Sequence, residues 1–163
     1  MRAGWRYHAP MHPTAAALIR SLELSPHPEG GYFRRVYTSA RQVDDHGRLR
    51  PALTAIRFLL GAGECSAWHR VDADESWHWQ QGDALELLVY DEICGQLQRV
   101  ILDAAERGQP MHVVPAGHWQ AARPLGEFTL VGCTVAPGFV WEGFALLDAA
   151  SPLAAHLATL VPR

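Results

Sequence analysis

Between Tyr32 and Ala136 the chain is cut into short segments rich in β-branched and aromatic residues, and Gly, Pro or Asp clusters separate them. YFRRVYTS, PALTAIRFLL, CSAWHRV, ESWHWQ, ALELLVYDE, QLQRVIL, MHVVP, HWQAAR and EFTLVGCTVA all read as strands. Short strands at nearly even spacing argue for an all-β antiparallel sandwich or barrel. Helical segments do not alternate with them, which excludes a doubly wound parallel sheet. Helices are expected only at the ends. Thr14 can cap one that runs to about Leu24 with Leu18, Ile19 and Leu22 as its apolar stripe, and Pro26 and Pro28 stop it. SPLAAHLATL reads as the second, with Ser151 as N-cap and Pro152 at the first helical position. Residues 14–150 thus form one expected domain, between an N-terminal arm (1–13) and a C-terminal helical tail (151–163).

A chain of 163 residues with 48% hydrophobic composition can bury a sizeable core. It carries only 14 Lys and Arg, scattered, and a net charge of −3, which gives nucleic acid no basic footprint to bind. The apolar run from Ala52 to Gly63 is interrupted by Arg57 and falls short of a bilayer span, so no membrane partner is expected. The apolar patch Ala15–Ile19 is too short for a secretory leader. Cys65, Cys94 and Cys133 are odd in number and lack paired spacing. Reduced thiols in a cytoplasmic protein follow as the expectation. Open sheet edges favour a homodimer, with Trp5 and Tyr7 of the arm placed across the partner.

The chemistry concentrates in AWHRVDADESWHWQQGD, residues 67–83. On an extended chain His69 and Val71 share a face. After an Asp72-Ala73-Asp74 turn, Glu75, Trp77 and Trp79 share one face, while Ser76, His78 and Gln80 take the other. Asp72 and Asp74 are expected to cap backbone amides in that turn. An inward Glu75 needs a hydrogen-bonding partner, and Trp77 with Trp79 offers an aromatic wall for a planar ring or a sugar face. Arg57 interrupts TAIRFLL, so it either reaches solvent or enters the interior to grip an anion. Gly30-Gly31 makes a tight turn, after which Tyr32 and Arg34 share one face and Phe33 and Arg35 the other.

Gly63, His69, Glu75 and Gly82 fall in register with the first motif of the cupin superfamily, with Val71 where that motif has a second histidine. Pro115, Gly117 and Gln120 fall in register with its second motif, with Gln120 at the histidine position. With HPEGGYFRRVYTS and VGCTVAPGFVWEGFALL, the chain from residue 14 to about 148 resembles a subfamily of small bacterial and fungal cupins described as a domain of unknown function. The resemblance implies a double-stranded β-helix (a jelly-roll barrel), an interior pocket and a dimer. A typical cupin metal site uses three imidazoles and a carboxylate, and here only His69, Glu75 and the weak donor Gln120 stand at those positions. No cofactor is therefore expected, a divalent transition metal on those three residues being the alternative. The expected function is binding of a small polar molecule, anionic or sugar-like, by Arg57, His69, Glu75, Trp77, Trp79, His118, Gln120 and Tyr32. Its reaction would be metal-independent isomerisation or epimerisation, by fold-level analogy with dTDP-sugar epimerases. His69 or His118 would be the base, Glu75 would exchange a proton with His69, and Tyr32 or Tyr37 would be the acid. A metal-dependent oxygenase or isomerase and a non-catalytic binding or storage barrel are the competing readings.

Overall fold

The computed structural model describes residues 11–161. In chain order the elements are α1 (Pro13–Ser21), β1 (Ser25–Pro26), β2 (Tyr32–Thr38), β3 (Gln42–Asp45), β4 (Arg48–Pro51), β5 (Thr54–Gly61), β6 (His69–Val71) and β7 (Asp74–Gly82). They continue with β8 (Leu85–Asp91), β9 (Gln96–Leu102), β10 (Met111–Val114), β11 (Trp119–Pro124), β12 (Phe128–Ala136), a 3-10 turn (Trp141–Gly143), β13 (Phe144–Leu146) and α2 (Pro152–Leu160).

Two antiparallel sheets make the barrel, ordered β1-β2-β5-β12-β7-β10 and β13-β6-β11-β8-β9. Alternation along each strand decides what lies between them. Phe58 and Leu60 of β5, Trp77 of β7 and Val131 and Cys133 of β12 meet Leu85, Leu87 and Val89 of β8 and Val100 and Leu102 of β9 in one buried cluster. The outer faces are not left bare. Leu59 and Leu130 point outward and pack with Tyr32 against Ala15, Leu18 and Ile19 of α1. Tyr90 and Trp119 on the outside of the second sheet pack against Leu153, Leu157 and Leu160 of α2. The chain's own helices thus cover apolar surface on both sheets. Among the described residues no helix is long and apolar enough to cross a membrane.

Three local features depart from the sequence expectation. RQVDDHGRLR, too polar to read as strand, forms the β3–β4 hairpin, closed by a turn in which His46 and Gly47 both take positive φ (55° and 84°). Inside that hairpin the buried Arg50 donates to the Gly138 carbonyl (2.8 Å), to Asp45 (2.7 Å) and to Asp72 (3.0 Å), and Asp72 also pairs with Arg48. Asp72 is therefore an ion-pair anchor between segments rather than a turn cap, whereas Asp74 does accept from the Ala116 amide (2.9 Å). Finally, α1 begins at Pro13, and its cap is the His12 ring, which accepts from the Thr14 amide (3.3 Å). The second helix is capped by Ser151, which accepts from the Ala154 amide, with Pro152 at its start. Trp5 and Tyr7 of the arm lie outside the described residues.

The turn before β2 has the tightest backbone constraint near the interior. The His27 amide donates to the Gly31 carbonyl, the Gly30 amide donates to the His27 carbonyl, and Gly30 and Gly31 have φ of 102° and 70°. A Cβ on Gly31 would lie 2.7 Å from the Leu59 carbonyl oxygen of β5, and that oxygen belongs to rigid sheet. Gly31→Ala is therefore expected to destabilise the fold by about 2 kcal/mol, from left-handed strain and the backbone clash together. Urea denaturation measures this, and an unchanged midpoint would contradict the close packing of the turn on β5.

Candidate functional site

The tight turn presses residues 27–29 into the open end of the barrel. Its position is held by the Ala67 amide, which donates to the Glu29 carbonyl (2.6 Å), so the turn is tied to the segment leading into β6. Two residues later His69 projects inward, and its Nδ1 lies 2.8 Å from the Ala67 carbonyl. A carbonyl only accepts, so Nδ1 carries the hydrogen and the neutral ring offers a bare Nε2. That Nε2 lies 3.2 Å from Glu29 Oε2. On the other side of Glu29, His27 Nδ1 accepts the Glu29 amide (3.3 Å) and stands 3.5 Å from the same Oε2. The Glu29 oxygen thus faces two ring lone pairs, an arrangement satisfied when the carboxyl keeps its proton and donates to His69.

The electrostatics agree with that placement of hydrogens. Burial, then the nearby charge of Glu75, pushes the Glu29 carboxyl well above the usual carboxylate range. Burial lowers His69 to about 4, against a smaller upward pull from the Ala67 carbonyl, and lowers His27 to about 4. At neutral pH both rings are uncharged, and burial with the lone pairs around it favours the undissociated form of Glu29.

Glu75 enters from β7, and its partners are set by a one-way chain. Indole N–H groups only donate, so Trp77 Nε1 donates to Gln120 Oε1 (2.8 Å), which turns the amide nitrogen of Gln120 towards Glu75 Oε2 (2.6 Å). β11 delivers Gln120 beside His69, its Cα partner across the β6–β11 pair. Desolvation raises Glu75 to about 7, with the Gln120 hydrogen bond opposing it. Glu75 Oε1 accepts no hydrogen bond among the described residues.

These groups line a cavity with Phe33, Ile56, Phe58 and Cys133 on its six-stranded side and Phe139, Trp141 and Phe144 towards its opening. The cavity is about 40 Å³, which limits it to a slender occupant. His69, Glu75 and Trp77 are buried in its floor, while Arg35 and Trp141 are exposed at its rim. Cys133 forms part of the wall as an uncharged thiol, since burial and the two glutamates push its pKa well up.

The donor set does not fit the metal that cupins are expected to carry. Val71 has no ligating atom, the Gln120 carbonyl is taken by Trp77, and its amide nitrogen is committed to Glu75. Among the described residues no group of three or more His, Cys, Asp or Glu is placed to hold a metal ion.

Of the residues singled out from sequence, His69, Glu75 and Trp77 line the cavity, and Gln120 stands behind Glu75 as its partner. His69 meets Glu29 rather than Glu75. The others lie elsewhere, each for a local reason. Tyr32 faces outward under α1. Arg57 sits one residue off Ile56 and Phe58, which take the inner face of β5. Trp79 is four residues along β7 from Glu75, and its indole N–H donates to the Asp83 carbonyl (3.0 Å) at the far end of the barrel. His118 lies outside the cavity, 3.7 Å from Asp91. His78, opposite to Glu75 in the strand alternation, bonds Ser76 (3.0 Å). Tyr37 is turned out by a β-bulge at Val36, because Arg35 pairs with Ile56 and Tyr37 already pairs with Ala55. Sequence reasoning missed His27 and Glu29. The available signal was a carboxylate immediately before the Gly30-Gly31 turn, in a segment otherwise read only for its glycines.

Sheet order, end helices and interior cavity define a cupin-type jelly-roll barrel. The chain belongs to the family described as "Cupin superfamily (DUF985)", whose profile matches residues 16–147. It is similar to a hypothetical protein from Leishmania major, with 34% identity, 91% of this chain and 92% of that one covered, and a TM-score of 0.77. A protein from Shewanella oneidensis is 35% identical over 90% of this chain and 94% of that chain, with a TM-score of 0.79. Oxalate decarboxylase from Bacillus subtilis shares the fold at 17% identity and a TM-score of 0.58, over 82% of this chain and 33% of that one. No curated protein matches the chain.

The raised Glu75 pKa makes stability depend on pH in a defined direction. Between about 4.5 and 7 the folded protein keeps a proton on Glu75 that the unfolded chain has lost. That contribution is full below pH 4.5 and is lost as pH rises through 7. His27 and His69 run the other way, gaining as pH rises from about 4 to 6.5. Both histidines persist in Glu75→Gln and cancel in the comparison. Relative to the wild type, Glu75→Gln should gain stability with pH across this window by about 1.4 kcal/mol per pH unit. Urea unfolding at several pH values tests this, and parallel curves for the two proteins would show that Glu75 is ionised in the fold like an exposed carboxylate.

Proposed function

We propose that the barrel binds a small polar molecule and moves a proton on it, as an isomerase acting next to a carbonyl group. The observation that carries this reading is the pairing of two buried carboxyls in opposite roles within one cavity. Glu75, poised near neutrality and with Oε1 unengaged, is the base, and the undissociated Glu29, steadied by His69, is the acid. A base whose pKa lies near the working pH combines adequate strength with adequate population.

The step balances without further reactants. Glu75 takes the proton from the carbon next to the carbonyl, and the electron pair moves into the new carbon–carbon double bond. Glu29 donates its proton to the developing oxyanion, which gives an enediol when the neighbouring carbon bears a hydroxyl. Return of the Glu75 proton to the other carbon, with recovery by Glu29 of a hydroxyl proton, completes an isomerisation. His69 acts as a positioning residue, because its Nδ1–H is held by Ala67 and its Nε2 orients the Glu29 hydrogen. No step is routed through a metal, since the cupin ligand positions hold Val71, which has no ligating atom, and Gln120, whose amide is hydrogen-bonded to Trp77 and Glu75. Homodimerisation belongs to the same proposal, supported by Met111 and Val113 exposed on the edge strand β10, and so does a cytoplasmic location, supported by three free cysteines.

The test is solvent deuterium exchange, followed by proton NMR on a panel of small hydroxy-carbonyl and keto compounds in heavy water. The wild type should label at least one of them, Glu75→Gln should lower the labelling rate at least about 100-fold, at the low end of general-base contributions, and His69→Phe should slow it less. Absence of labelling across the panel, or labelling that survives Glu75→Gln, would favour a binding barrel without turnover.

A further inference from the structure

Among the described residues seven arginines form ion pairs, Arg70 with Glu92 being one, and Arg20, Arg35, Arg41 and Arg57 form none. Arg34 pairs with Glu23, Arg48 and Arg50 with Asp45 and Asp72, Arg99 and Arg123 with Glu86, and Arg107 with Asp103. Arg35 alone of the described arginines borders the cavity. Among the described residues its guanidinium has neither an ion pair nor a hydrogen bond. Its only charged-group contact is with an aromatic face, since Cζ stands 5.6 Å from the centroid of Phe139. Partial burial is left uncompensated and pulls its pKa below the usual value.

The backbone is shaped around this side chain. The bulge at Val36 follows Arg35 directly, and without it alternation would turn Tyr37 into the same opening. The bulge sends Tyr37 outward and leaves Arg35 as the polar group at that edge. Bulges next to sites commonly re-aim a side chain in this way.

Arg35 makes no ion pair with Glu29 or Glu75 among the described residues, and its strand is set apart from the one that carries Glu75. It lies in one cross-strand row with Ile56, Cys133 and Trp77, three strand spacings from β7. At about 4.8 Å each, roughly 14 Å of sheet separates the two backbones. Phe33, Ile56 and Phe139 give the cavity apolar walls beside Arg35.

We infer that Arg35 anchors the carboxylate of a slender organic acid whose carbonyl or hydroxyl end reaches Glu75 and Glu29. The planar guanidinium matches a carboxylate with two parallel hydrogen bonds. The narrow, mostly apolar channel favours a flat carboxylate over a tetrahedral dianion such as phosphate. This assignment rests on the acid–base reading for the inner end only, and the anion contact stands apart from turnover.

Isothermal titration calorimetry with acetate, pyruvate, 2-oxobutanoate and benzoate tests it, each anion set against its neutral methyl ester, with inorganic phosphate as a further arm. At least one anion should bind the wild type at least 10-fold more tightly than its ester and than phosphate. Arg35→Met, which keeps the stem length, should erase that preference, with the melting temperature confirming that it folds. Arg35→Lys should restore part of it, and Arg57→Met, an arginine outside the cavity, should leave the preference in place. No anion preference in the wild type, a preference that survives Arg35→Met, or tighter binding of phosphate would overturn the assignment. Loss of deuterium labelling with the preference intact would instead count against the proton-transfer reading alone.

Discussion

The interior of this barrel depends on the chain Trp77 to Gln120 to Glu75. An indole N–H has one possible role, so its direction passes through the amide and ends on a carboxyl buried without a countercharge. Three consequences follow from that one constraint. Gln120 is held with its amide nitrogen towards Glu75, Glu75 is stabilised by one strong hydrogen bond instead of a charge, and its second oxygen is left for an occupant. The same constraint removes the carbonyl that would otherwise be the weakest available metal ligand at the position.

The two acids then separate by environment. Glu29 is flanked by ring nitrogens that need a hydrogen, and it also lies near Glu75, so its ionised form is disfavoured twice. Glu75 has a donor partner that opposes the effect of burial, and it stands near neutrality. Environments that push two titratable groups apart in this way define an acid and a base. Arg35 adds a positive pole at the rim, which gives the cavity a polarity along its length.

The barrel was legible in the sequence because nine short segments carry a period of two and fixed turn residues, and because His69, Glu75 and Gln120 stand at motif positions. Their mutual contacts were less so. Alternation correctly put Glu75 and Trp77 on one face, but it said nothing of how far along β7 the cavity extends, and Trp79 lies beyond it. Glu29 is placed by a left-handed turn and by the Ala67 amide, a tertiary contact between segments about forty residues apart, which no local pattern encodes. The bulge at Val36 likewise depends on β5 across from it, and it turns Tyr37 away from the site. The β3–β4 hairpin was hidden because its stability comes from Arg50 and its acidic partners rather than from apolar alternation.

Two buried carboxyls share the cavity, and their surroundings set different protonation states for them at neutral pH. Infrared difference spectroscopy of the carboxylic C=O stretch, with Glu29→Gln and Glu75→Gln as assignments, measures this directly. One protonated-carboxyl band should titrate near pH 7 and be absent from Glu75→Gln, and a second should persist above pH 7 and be absent from Glu29→Gln. Loss of both bands below about pH 5, as for exposed carboxylates, would contradict these protonation states.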